Sequence, residues 1–404
     1  MAVIHPFRAL RPAPERAADV SSVPYDVVST DEARQLTAGN PLSFLRVTRS
    51  EVDLPEATDP YSAAVYEKAR DNFAALRRTA PLIVDGQPSV YLYRLRIGDH
   101  EQTGVAGCFS LDEYDSGVIK KHERTRRDKE DDRTRHIVEL RAQTGVVFLV
   151  FKQTRTLARL IDAATGRPPL YDFRADDGVS HALWRIGDES TAFVDAFKEL
   201  RALYIADGHH RAASAARART ELARGEPASE ANTFIAVAFP DDRVQILPYN
   251  RLVKDLGGHT SEGFLDRLRA RLPVKEGGPA PLRKGQVSMY AGGAWYSIDL
   301  SSAAPADASR AASLDVALLQ HHVLEPLLNV GDIRTDKRID FVGGARGTVA
   351  LKRAVDTGQA AVAFSMFPVT SDDLMSISDE GGIMPPKSTW FEPKLRDGLL
   401  VHLI

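Results

Sequence analysis

Three observations predict an α+β fold built on a mixed sheet. Helical and strand-like runs alternate irregularly along the 404 residues. Hydrophobic residues make up 43% of the chain, enough for a large core shared by two closely packed lobes. An apolar strand, Leu203–Ala206, enters a glycine turn and then a long Ala/Arg-rich helix, His210–Arg224.

Taken in order, residues 1–30 contain Pro6, Pro12, Pro14 and Pro24, whose fixed φ favours turns and short strands wrapped on the surface. Tyr61–Arg77 reads as a helix, with Val65, Ala69, Phe73 and Leu76 at helical spacing. Ser89–Ile97 and Gly104–Leu111 alternate like paired strands about Gly98-Asp99-His100. A charged block, 120–136, runs into a helical stretch to Ala142, followed by the apolar strand Gly145–Phe151. Leu157–Ala164 and Phe193–Leu200 are predicted helices, and Phe234–Phe239 with Val244–Pro248 a hairpin about Asp241-Asp242. Gly277–Pro281 and Ser301–Ala308 read as exposed loops. Ser313–Leu328 has amphipathic helical spacing through Leu314, Ala317, Leu318, Val323 and Leu327, and Leu399–Ile404 closes as a strand. There is no internal repeat. The organisation expected is an N-terminal α/β segment at 1–90, a central core at 91–250 and a C-terminal α+β region at 251–404.

Charged residues are 26% of the total and the net charge is −3, which excludes a partner held by bulk charge, whether duplex DNA or an anionic membrane. The single cysteine, Cys108, sits in the apolar run Val105–Phe109 and reads as a buried, inert thiol, with no disulfide framework. Met1–Phe7 does not have the pattern of a signal peptide, and runs such as Val146–Phe151 are too short to cross a bilayer. The expectation is a cytoplasmic protein without nucleic-acid or membrane partners. Oligomeric state leaves no mark in the sequence.

The sharpest constellation is Asp207-Gly208-His209-His210-Arg211. A strand, a tight glycine turn and an immediate helix direct backbone N–H groups and the positive end of the helix dipole at one spot, as a phosphate requires. Gly208 lets a ligand approach the backbone, while His209, His210 and Arg211 add donors. Asp207 is a candidate Mg²⁺ ligand or orienter of a hydroxyl; its bland alternative is an N-cap. Zinc is disfavoured here because adjacent histidines diverge from a helix start.

In Lys120–Arg127, Glu123 is embedded among cations, a candidate general base or Mg²⁺ ligand, and His122, Arg124 and Thr125 are candidate phosphate ligands. Asp128–Arg135 reads instead as a solvated helix face. Near the C-terminus, Lys387, Ser388, Thr389 and Lys394 offer donors for an anion on a proline-fixed backbone, with Trp390 and Phe391 more suited to core packing. Pro24-Tyr25-Asp26-Val27 places a carboxylate beside an aromatic, and a simple turn explains it equally well.

Together, Pro24–Ser29, His122–Thr125, Ala206–Arg211 and Met384–Lys394 resemble a bacterial and archaeal family, catalogued as domain of unknown function one thousand and fifteen, from Phe7 nearly to Ile404. Its Asp-Gly-His-His-Arg segment is similar to the phosphate box of the ParB/sulfiredoxin-like superfamily, which includes kinases of free L-serine (SerK-like). The resemblance implies a ParB/sulfiredoxin-like core from roughly 90 to 250, with N-terminal and C-terminal elements around one cleft. It implies a donor (ATP, ADP or pyrophosphate) with Mg²⁺ bound at Gly208–Arg211, and Glu123 or Asp207 activating the serine hydroxyl. His210 would contribute to both binding and catalysis. Tyr25, Asp26 and Arg46 are candidates for serine recognition. No Walker-type loop is present, and His209 stands where sulfiredoxin chemistry needs a cysteine. The segment after Arg224 reads as strands rather than a helix-turn-helix, against a DNA clamp. A nucleotide-binding regulatory module, or a nuclease or phosphatase with water as acceptor, are the alternatives to a serine kinase.

Overall fold

The computed structural model describes residues 1–223, 229–303 and 307–404. Its contacts define two units: Met1–Val244 together with Pro393–Ile404, and Gln245–Glu392. Residues 1–90 and 91–244 thus share one unit.

The larger unit is α+β, as expected, around a nine-stranded mixed sheet. Its order is Ile119–Lys120, Leu203–Asp207, Val147–Phe151, Thr233–Pro240, His100–Ser110, Tyr91–Ile97, Ser180–Arg185 and Tyr171–Arg174, with Ile4–His5 paired to Phe109 and Cys108. Leu203–Asp207 runs parallel to Ile119–Lys120 and antiparallel to Val147–Phe151, which runs parallel to Thr233–Pro240. Phe109, Leu149, Phe151, Leu157, Phe197, Ile205 and Phe234 form the centre of the core. Cys108 is buried there, and burial raises its thiol pKa.

The helix predicted over 61–77 spans Ala63–Thr79 and buries Val65, Ala69, Phe73 and Leu76. The hairpin of Tyr91–Ile97 and His100–Ser110 closes at Ile97 opposite His100, with Gly98 left-handed (φ 54°). The last predicted helix of this unit spans His209–Leu222; Arg224 lies outside the described residues. The helix Arg127–Leu140 is not the solvated face expected of Asp128–Arg135: Asp132, Thr134 and His136 are buried. The helix packs against both Ala63–Thr79 and His209–Leu222. The Tyr66 hydroxyl donates to Asp132 at 2.8 Å, and Arg133 pairs with the same carboxylate at 2.8 Å. Tertiary partners therefore override a charge pattern that local spacing reads as surface.

The hairpin expected of 234–239 and 244–248 does not form. Thr233–Pro240 pairs inside the sheet, whereas Ile246–Leu247 belongs to the second unit and pairs with Trp390–Phe391. Hydrophobic alternation gave each strand but not its partner. The hairpin Tyr171–Arg174/Ser180–Arg185 completes one end of the sheet, and its turn contains Asp176-Asp177-Gly178 with Gly178 at φ 84°.

The second unit contains an antiparallel six-stranded sheet in the order Val274–Glu276, Ala294–Asp299, Gln286–Ala291, Val362–Ser365, Tyr249–Val253, Ile339–Gly343. The helix expected over 313–328 starts at Asp315 and widens into a π turn at Gln320–Leu324 before Glu325–Leu328. Pro326 lacks the N–H that a regular helix would use there, and a locally wider turn accommodates it. Of the loop expected at 301–308, residues 304–306 lie outside the described residues. No described helix is long and apolar enough to cross a membrane.

Candidate functional site

The strand Leu203–Asp207 slips register against Val147–Phe151 between Ile205 and Asp207, and the chain then turns through Gly208 at φ 93°. Gly208 itself is the N-cap of His209–Leu222, and no side chain caps this helix start. Asp207 is therefore not the cap. The first-turn N–H groups have no intrahelical acceptors, and the dipole adds partial positive charge at the same place.

Charges around the turn are paired within the larger unit. Lys394 Nζ lies 3.3 Å from Asp207 Oδ2, with the side chains 16% and 30% exposed. Burial favours the neutral acid, yet Lys394 and then Arg211 hold Asp207 well below the usual carboxylate range. Arg211 is itself buried. Its Nη1 donates to the Val146 carbonyl at 2.8 Å and its Nη2 to both Asp26 oxygens at 2.7 and 2.8 Å. Burial opposes the guanidinium charge, but Asp26 and Asp207 outweigh it and raise its pKa. Tyr25 is buried with its ring 4.4 Å from the Arg133 guanidinium and 5.8 Å from that of Arg211. The structure thus uses Asp26 and Tyr25 to seat Arg211.

The two histidines fix the neighbouring loop. The backbone N–H of His122 donates to His209 Nε2 at 3.3 Å, and that of Arg126 to His210 Nε2 at 3.0 Å. Each Nε2 must be unprotonated to accept, so both rings are neutral. Burial lowers both pKa values, and for His209 the proximity of His122 lowers it further. His122 is buried and pushed down to about 4, chiefly by desolvation, with a hydrogen bond to the Ile205 backbone opposing. The His122 and His209 rings meet edge to face at 4.4 Å. Glu123 and Arg124 are exposed. Thr125 donates its hydroxyl to Glu130, tying the loop to the helix that follows. One ligand atom each from His122, Glu123 and His209 lie within 4.8 Å of one another.

Asp207, His209, His210, Arg211, His122, Glu123, Lys394, Tyr25 and Asp26 all belong to the larger unit, whereas Lys387, Ser388 and Thr389 belong to the second. Lys387 is exposed and left-handed (φ 58°), and its carbonyl accepts from Arg251 Nη2 at 3.1 Å. Ser388 is buried and donates to the Pro385 carbonyl at 2.5 Å, a turn-closing bond. Arg46 donates to the carbonyls of Thr37 (2.9 Å) and Asn40 (3.1 Å) and pairs with Asp53, which makes it a tie between helices. Sequence reasoning missed Asp397. It is buried, exchanges backbone hydrogen bonds with Ser22, leaves Oδ2 without a partner, and is pushed up to about 7 by burial against the pull of Arg211. Arg396-Asp397-Gly398 looks like an ordinary turn, so only its burial distinguishes it.

Mg²⁺ demands oxygen ligands. Asp207 Oδ2 is engaged by Lys394, and the ligand atoms gathered here come from two imidazoles and one carboxylate. Mg²⁺ is commonly held by one or two carboxylates together with substrate phosphates, and Asp207 and Glu123 are the carboxylates that could serve so here.

The family described as "Protein of unknown function (DUF1015)" matches residues 4–317. The chain belongs to this family. No curated protein matches it. Similar solved structures include SbnI with a C-terminal truncation from Staphylococcus aureus (12% identity, 74% of this chain and 87% of that one, TM-score 0.41). A conserved hypothetical protein from Pyrococcus furiosus is 16% identical over 74% of this chain and 95% of that one, with TM-score 0.36. A free serine kinase in complex with AMP is 12% identical over 73% of this chain and 91% of that one, with TM-score 0.35. These scores are too low to transfer a site, so the functional reading rests on the residues of this chain.

Proposed function

We propose that the chain is a small-molecule phosphotransferase that moves a phosphoryl group from ATP, ADP or pyrophosphate to the hydroxyl of free L-serine. The observation that carries the reading is the uncapped helix start opened by left-handed Gly208, with the exposed carboxylate of Glu123 on the loop that His209 and His210 hold against it. Phosphoryl transfer asks the protein mainly for positioning and charge stabilisation, and preorganised N–H groups supply both. In the reaction the serine oxygen forms a new bond to the transferred phosphorus, the bridging P–O bond breaks, and the serine proton passes to Glu123. The nucleoside mono- or diphosphate, or phosphate, leaves. Serine as acceptor is supported by the resemblance of the Asp207–Arg211 segment to the phosphate box of a superfamily that includes kinases of free L-serine.

The test is a transfer screen of ATP, ADP and pyrophosphate against amino acids and sugars, followed by Glu123→Gln. Phosphoserine is the expected product. Loss of a general base costs on the order of a hundred- to ten-thousand-fold in rate with donor affinity nearly kept. If no donor yields phosphoserine, the serine assignment fails; if Glu123→Gln turns over normally, Glu123 is not the base.

A further inference from the structure

The geometry points to a transition-metal site formed by His122, Glu123 and His209, with Zn²⁺ or a similar borderline dication as its ligand. The inference deepens the phosphotransferase reading by placing a cation beside the turn proposed to bind the donor, yet it is tested without that activity.

Two imidazole nitrogens and one carboxylate are the donor set of a familiar class of open zinc site, and they favour borderline metals over Mg²⁺. The bare nitrogens can be identified. Nδ1 of His122 is buried and has no hydrogen-bond partner, in a residue only 2% exposed. Nearby backbone at Ile205 favours the protonated ring, against the desolvation that keeps it neutral. His209 Nε2 accepts the His122 N–H at a long 3.3 Å; a cation there would replace that bond and tie the loop through the metal instead, with the His210–Arg126 bond kept. The rings stand perpendicular with centroids 4.4 Å apart, so their lone pairs need not be parallel.

The ligand atoms lie within 4.8 Å of one another. Tetrahedral ligands about 2.1 Å from a metal are separated by roughly 3.4 Å. Ligand atoms up to 4.8 Å apart reach that spacing with at most about 1.4 Å of movement. A buried acceptor without a partner calls for a reason. An ordinary core histidine would have its second nitrogen satisfied or dry against apolar atoms, whereas the His122 ring has a second imidazole and a carboxylate beside it. Three protein ligands leave at least one position open, on the solvent side marked by Glu123. Bound through one carboxylate oxygen, Glu123 keeps the other for the serine proton.

The experiment uses the full chain without an affinity tag, stripped with a chelator and titrated with Co²⁺ (visible absorption) and Zn²⁺ (calorimetry). One equivalent per chain is expected, with d–d bands of low coordination number and no displacement by a large excess of Mg²⁺. Glu123→Gln and His122→Asn should each weaken uptake by at least about tenfold. Glu123 is exposed, so its variant keeps the test decisive even if His122→Asn does not fold. Absence of Co²⁺ and Zn²⁺ uptake by the wild type, or uptake unchanged in Glu123→Gln, overturns the site. Metal uptake without phosphoserine would leave the metal site standing and remove the serine reading; phosphoserine formation without metal uptake would do the reverse.

Discussion

Replacing Gly208 by alanine tests whether the turn geometry itself is required. Gly208 sits at φ 93° and ψ 29°, and an added Cβ would lie 3.3 Å from Arg211 Cδ and 3.4 Å from Val147 Cα. The left-handed conformation costs an L-residue roughly 1–2 kcal/mol. The contact with Val147 is ordinary, but Arg211 Cδ has little freedom to yield because its guanidinium is clamped by Asp26 and Val146. Alanine also lowers the entropy of the unfolded chain, which returns about 0.4–1 kcal/mol. With a modest overpacking cost of about 1 kcal/mol, the net destabilisation is about 1–2.5 kcal/mol. At about 2–4 °C per kcal/mol for a unit of this size, the melting temperature should fall by roughly 2–10 °C. Donor affinity, read by calorimetry, should fall as well, because the N–H groups that follow Gly208 would be re-aimed. Gly208→Asn is the control: asparagine tolerates the left-handed region better and should recover part of the stability. An alanine variant as stable as wild type, or an asparagine variant no better than alanine, would refute the backbone argument.

Lys394→Met removes the nearest counter-charge of Asp207 and should cost roughly 1–3 kcal/mol at neutral pH, less than a fully buried pair because Asp207 is 30% exposed. The folded pKa of Asp207 is depressed, so its contribution is present above the unfolded value and is lost as pH falls through the folded one. Urea midpoints of wild type and variant should therefore differ at pH 7 and converge in strong acid; a constant gap would show that Lys394 acts through packing alone. The whole chain should also lose stability as pH drops from about 6.5. His136 and His181 are held neutral by burial, with pKa values of about 3 against an unfolded 6.5, so the unfolded state binds more protons throughout that window. Asp397, raised to about 7, works in the opposite direction between the unfolded 3.8 and 7, but one aspartate does not offset two histidines. Urea midpoints that stay level from pH 6.5 to 5 would contradict this balance.

The turn was legible because its signal is local: an apolar strand, one glycine and a helix start lie within a few residues, and each obeys backbone rules that need no partner. The helix Ala63–Thr79 was legible for the same reason. What the sequence did not disclose are pairings at long separation. Arg211 meets Asp26 across 185 positions and Lys394 meets Asp207 across 187, and no periodicity encodes either. The capping box of Thr30–Thr37, with Ser29 and Glu32, is a local signal of the same kind. The sheet of the second unit was hidden by its short strands, whose partners are set by tertiary contacts rather than by the alternation within each.

Those long-range pairs change how a phosphate would be held. By sequence, Arg211, Lys394, His209 and His210 are four donors aimed at one anion. In the fold, Arg211 is bound bidentately by Asp26 at 2.7 and 2.8 Å, and each histidine spends a lone pair on the loop of Glu123. The pairs Asp26–Arg211 and Asp207–Lys394 cancel charge within the protein, so the turn N–H groups and the helix dipole carry the preorganised attraction. The two pairs are unequal, however. Arg211 is buried and held by two short bonds plus a carbonyl, so moving it would strand Asp26 and a guanidinium in the core. Lys394 is tied to Asp207 by a 3.3 Å contact in a partly exposed position. Neutralisation at Arg211 is therefore locked into the core, whereas that of Asp207 by Lys394 sits at a partly exposed carboxylate, where a bound anion and salt act on it most directly.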